Sequence, residues 1–109
     1  MTPAQRHHNQ GVSLYDSGEY QKAMEEYTKG IELDPQCAWA YSNRGLSYNS
    51  LNQHDLAIED FDECIRLDPQ SEAYRMRAGV YIELGQYELA GKDFLEAIRL
   101  GQTNTALGK

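Results

Sequence analysis

Small and large apolar residues return along this chain in a fixed order, three times over. Ala23, Ala57 and Ala90 recur at intervals of 34 and 33 residues, followed at the same intervals by Tyr27, Phe61 and Phe94. Ile31, Ile65 and Ile98 come next, then Leu33, Leu67 and Leu100, and Asp34-Pro35 and Asp68-Pro69 close the first two copies. Self-similarity at such a period means supersecondary units stacked in a row, each burying its apolar face against its neighbours. The surface built by the stack is then the place to look for function.

Each copy reads as two helices. Thr2-Pro3-Ala4-Gln5 is a helix start: Thr2 can cap, Pro3 suits the first helical position, and Gln5 completes a capping box. Ser71 offers a cap to the third copy in the same way. Gly18, Asn52 and Gly85 share a column and tolerate the left-handed conformation that ends a helix, so the first helices should stop there. The second helices are expected over 19–33, 55–67 and 87–100. The first two end at Asp-Pro, because the residue before proline is pushed out of the α region.

Small residues tell how the helices pair. Gly11, Gly45 and Ala78 share a column in the first helices, opposite Ala23, Ala57 and Ala90 in the second, so antiparallel partners can approach closely. Larger residues flank them: Tyr48 and Tyr81 with Leu14, Tyr20 and Tyr87 with His54. Every tyrosine except Tyr15 falls in a column that is aromatic in at least two copies, which reads as core.

With 109 residues there is one small domain, assigned to 1–109, with repeats at about 4–37, 38–70 and 71–104 and a short tail over 105–109. A formal charge of −7 and a pI near 4.8 argue against a nucleic-acid surface and against anionic lipid. No apolar run approaches the roughly 20 residues needed to cross a bilayer, and no secretory leader is legible. The expected setting is cytoplasmic. Cys37 and Cys64 form no disulfide framework and read as free thiols, Cys64 occupying a small-residue column with Gly30 and Ala97.

The strings Asn-Arg-Gly-Leu-Ser-Tyr (43–48), Leu-Ala-Ile-Glu-Asp-Phe (56–61) and Ile-Arg-Leu-Asp-Pro (65–69) carry a resemblance that the period alone does not. They are similar to the tetratricopeptide repeat, over about residues 4–104. Departures are few: His7 stands where an aromatic is usual, His54 where tyrosine is usual, and Gly101-Gln102 in place of Asp-Pro. The resemblance implies an all-α, right-handed superhelical solenoid of three helix-turn-helix repeats, in which the first helices line a concave groove for peptides or helices of other proteins.

Carried onto this chain, the groove columns hold Gln5, His8, Val12, Tyr15 and Asp16, then Trp39, Ser42, Asn43, Leu46, Asn49 and Ser50. The third copy supplies Glu72, Arg75, Gly79, Ile82 and Glu83. Val12, Tyr15, Trp39, Asn43, Leu46, Asn49, Arg75 and Ile82 form the candidate peptide site. Trp39 is the expected anchor, since truncating an aromatic hot spot often costs about 2 kcal/mol or more; the competing reading lays its ring over the connector at Pro35 and Cys37. Asn43 matches a family asparagine that bonds ligand backbone; the competing reading is a cap-like bond to the preceding repeat. Members that bind the Glu-Glu-Val-Asp tails of heat-shock chaperones use a five-residue clamp, whose columns here hold His8, Val12, Asn43, Glu72 and Met76. Only Asn43 fits, and Glu72 places an anion where a cation is needed.

The remaining features carry less. Asp55, Glu59, Asp60, Asp62 and Glu63 read as a solvated face of one helix. His7 and His8 point about 100° apart on a helix and cannot share a metal site alone. No phosphate loop, nucleophile elbow or other catalytic constellation appears, so neither an enzyme nor a cofactor is expected. His7, Gln10 and Ser13 make the first copy a polar end. At the other end Leu84, Ile98 and Leu100 are left partly open, Gly91 removes some apolar surface, and residues 103–109 look too short for a covering helix. A second copy of the chain, as a homodimer, is the rival partner to another protein.

Overall fold

The computed structural model describes the backbone of residues 1–107 and the side chains of residues 1–101. Gly108 and Lys109, the end of the expected tail, lie outside the described residues. Among the described residues six helices follow one another: α1 (Pro3–Asp16), α2 (Tyr20–Leu33), α3 (Ala38–Ser50), α4 (His54–Leu67), α5 (Ser71–Glu83) and α6 (Tyr87–Leu107). Each packs on the next in sequence, and α1 also reaches α3, so the chain is a row of helix hairpins.

The helix boundaries follow local chemistry. Thr2 Oγ1 accepts from the Gln5 amide at 3.1 Å while the Gln5 side chain accepts from the Thr2 amide at 2.8 Å, closing the capping box. Gly18, Asn52 and Gly85 all have positive φ (80°, 61° and 76°), so the three first-helix exits share one backbone solution. Asp34 and Asp68 end α2 and α4 with extended φ values of −142° and −156°, as proline at the next position demands.

Two expectations fail here. Ser71 is not a cap: α5 begins with it, and Gln70, in extended conformation after Pro69, is the N-cap residue without a side-chain bond. The last helix runs past Leu100 to Leu107, because Gly101-Gln102 contains no proline to stop it.

The core is the line where small meets large. Ala23, Ala57 and Ala78 are fully enclosed, and Tyr27 and Phe61 are 2% and 0% exposed. A methyl group at Gly11 would stand 2.6–2.9 Å from the Tyr27 ring, so glycine is what lets α1 and α2 close. The row does not finish symmetrically. Phe94, in the column of Tyr27 and Phe61, is 37% exposed, and Leu84, Leu95 and Ile98 are open beside it. Tyr87, expected in the core, is 70% exposed, and among the described residues no helix follows α6 to cover it.

Arginine joins one repeat to the next. Arg44 on α3 donates from Nε and Nη2 to the two carboxylate oxygens of Asp60 at 2.8 and 2.7 Å, and from Nη1 to Thr28 Oγ1 of the preceding repeat at 3.3 Å. Arg77 on α5 repeats this with Asp93 and reaches back to Asp62 at 2.8 Å. Asp60 is therefore buried, and the acidic run on α4 is not a wholly solvated face. Its alternate positions serve the interior and the joint between repeats.

Candidate functional site

The start of α3 decides how the concave side is built. Tyr41 turns toward the preceding connector and donates its hydroxyl proton to the Pro35 carbonyl at 3.0 Å. Trp39, two residues earlier, is thereby left on the other side of the helix, where it lines a cavity. The indole is 45% exposed and meets His8 of α1 in a T-shaped contact, with ring centres 4.9 Å apart and planes at 64°.

His8 itself is not a groove residue. It is 2% exposed, packed where Gly30 of α2 makes room, and neither ring nitrogen has a hydrogen-bond partner. Burial lowers its pKa from the ordinary value, against an opposing pull from the charge of Asp34 and with a smaller push from His7.

Between the N-terminal halves of α3 and α5 lies a cavity of about 250 Å3. Ala38, Trp39, Ser42, Asn43 and Leu46 form one wall, and Glu72, Ala73 and Met76 the other. Cys64, Asp68 and Gln70 close it where α4 runs into α5. Of the eight expected site residues, this cavity gathers Trp39, Asn43 and Leu46. The Asn43 side-chain amide forms no hydrogen bond among the described residues, so both its donor and its acceptor are available at the cavity wall.

The other five lie apart from it. Val12 is exposed on α1, and Tyr15 is half-buried with its ring edge-on to Tyr20 at 5.0 Å. Asn49 is committed elsewhere: its Oδ1 accepts from His54 Nδ1 at 2.7 Å and its Nδ2 donates to Glu83 at 3.3 Å. Arg75 and Ile82 are exposed on α5. Sequence reasoning missed Asp68 and Cys64 as wall residues, because they sit on a second helix and its exit. The signal was available in Asp68-Pro69: a helix stopped there must deliver its last side chains beside the next helix's start.

Among the described residues no group of three or more His, Cys, Asp or Glu side chains converges as a metal site. His7 is drawn away from His8 to Glu26, at 2.9 Å. Burial raises the pKa of both Cys37 and Cys64, which disfavours reactive thiolates. No described helix is long and apolar enough to cross a membrane.

Three stacked helix hairpins with a continuous small-against-large core define an all-α helical-repeat solenoid. The chain belongs to the tetratricopeptide-repeat family. Models of the tetratricopeptide repeat match residues 38–71 and 71–104, and a TPR-repeat model matches residues 11–51. Among solved structures, it is similar to MamA at 28% identity and a TM-score of 0.93, over 96% of this chain and 62% of that one. The chain thus spans less than two thirds of that relative's length. The second TPR of Spaghetti (RPAP3), bound to the HSP90 peptide SRMEEVD, is 29% identical with a TM-score of 0.86, covering 91% of this chain and 93% of that one. The Arabidopsis OM64 TPR domain is 25% identical with a TM-score of 0.88, covering 93% and 84%. Among curated proteins, no sequence matches this chain.

Proposed function

We propose that this protein is an interaction scaffold, whose three repeats act as one unit that holds a peptide or helix of a partner protein in the concave groove. One observation carries the reading: a half-exposed Trp39 and an unengaged Asn43 amide share the wall of one cavity. An aromatic anchor beside a free amide can seat a side chain and bond a peptide backbone. The RPAP3 domain bound to SRMEEVD supports peptide binding by this fold. It does not support the same ligand, because Asp68 and Glu72 border this cavity and no lysine or arginine lines it.

The test is a peptide-library selection on the purified chain beside a Trp39→Ala, Asn43→Ala double variant. Peptides retained by the wild type and lost by the variant support the groove. Enrichment that the substitutions leave unchanged removes it.

A second reading, self-assembly, is favoured by the open outer side of α6, where Leu95 and Ile98 are 69% and 55% exposed. Sedimentation over a hundredfold concentration range separates the two. A constant monomer mass eliminates self-assembly.

A further inference from the structure

The cavity between α3 and α5 has a chemical polarity that the groove reading does not specify. Its apolar side is Trp39, Leu46 and Met76, and its rim carries Asp68 and Glu72. A volume of about 250 Å3 lies below the roughly 300–1,000 Å3 of small-molecule sites, and suits one long side chain.

Among the described residues no lysine or arginine lines the cavity. Arg44 and Arg77 are committed inward to Asp60 and Asp93, and Arg66 is paired with Glu63. Arg75 stands one turn along α5 from Glu72 but forms no ion pair with it and does not line the cavity. The Asp68 carboxylate accepts one bond from the Gln70 side chain at 2.9 Å, which leaves most of its acceptor capacity open.

We infer that this cavity takes a lysine or arginine side chain from an extended segment of the partner, with its stem on Leu46 and Met76 and its cationic head between Trp39, Asp68 and Glu72. The inference rests on the groove reading. Long cationic side chains bury their methylenes on apolar surface while the head keeps polar company. Tryptophan is the best aromatic face for a cation, and two carboxylates at the same rim add charge-assisted hydrogen bonds. His8 packs behind the indole, so the ring is already supported before a ligand arrives. The chain's net charge of −7 favours encounter with a basic segment and disfavours an acidic one.

The experiment uses two capped nonapeptide libraries with random flanks, one with a central arginine and one with a central glutamate. Both carry a terminal fluorophore and are titrated with the full chain, with fluorescence anisotropy of the peptides as the readout. Arginine-centred peptides are expected to bind about tenfold tighter, and to weaken as salt is raised. Glu72→Gln with Asp68→Asn should erase that preference, and Glu72→Asp in an otherwise wild-type chain should retain part of it. Melting of each variant by circular dichroism confirms that it is folded. Equal or tighter binding of glutamate-centred peptides, still abolished by Trp39→Ala, overturns the cation inference and leaves the groove reading standing. Binding that survives Trp39→Ala, or no binding from either library, overturns both.

Discussion

The His8 imidazole meets the Trp39 indole edge-on at 4.9 Å, and both of its nitrogens are buried without a partner. A proton on that ring would sit in an enclosed space, so burial depresses its pKa. Asp34, at the end of α2, opposes the shift, and neighbouring His7 adds to it. The unfolded chain takes up this proton near pH 6.5, where the folded chain still resists it. The stability from a neutral His8 is therefore present above about pH 6.5 and lost as pH falls through the depressed folded value. Urea unfolding from pH 8 to 5 should show a steeper loss for the wild type than for His8→Phe, which keeps a ring and carries no proton. Parallel curves would refute the assignment.

Arg44 and Asp60 form the joint most sensitive to removal of one partner. Both side chains are largely enclosed, and Arg44 also reaches Thr28 across the repeat boundary. Asp60→Ala strands a buried guanidinium and should cost about 3–5 kcal/mol in denaturant unfolding. Glu63→Ala removes an exposed pair with Arg66 on one helix surface and should leave the unfolding midpoint almost unchanged. A similar small change for both variants would mean the buried pair does not hold the repeats together.

Two glycines separate packing from propensity. Gly11→Ala drives a methyl into the Tyr27 ring, which is itself buried, so α1 must move off α2 and the expected loss is about 1–3 kcal/mol. Gly79→Ala, within α5, meets nothing within 4 Å and should gain up to about 1 kcal/mol from helix propensity. Thermal melts of the pair check this. Opposite signs are expected, and equal signs would remove close approach as the reason for Gly11.

The repeat frame was legible because it rests on local chemistry: Asp-Pro stops, left-handed exits and small-against-large columns each act within a few residues. The capping box at Thr2 and the exits at Gly18, Asn52 and Gly85 needed nothing from the rest of the fold. His8 was misplaced because its groove column is also where α1 passes Gly30, and tertiary packing drew the ring inward. Asn49 sits on a groove column, yet His54 and Glu83 take its amide, partners 5 and 34 residues away. Asp68 was read as a helix stop and proved also to be a wall of the cavity. Each miss concerns a side chain with two available roles, where only the neighbouring helix decides between them.

Phe61 and Phe94 occupy the same column of successive repeats, and the next helix covers only one of them. Phe61 is 0% exposed beneath α5, whereas Phe94 is 37% exposed, and among the described residues no helix packs over α6 from beyond it. Phe61→Ala should therefore cost about 3–5 kcal/mol, as for a fully enclosed aromatic. Phe94→Ala forfeits less buried area and fewer contacts, so its cost should be about half of that. Chemical unfolding of dilute protein measures both. If the two costs converge as concentration rises, the outer side of α6 is being covered by another copy, and the Phe94→Ala loss becomes a measure of that contact. If they stay apart at every concentration, α6 is a true end of the stack in the isolated chain.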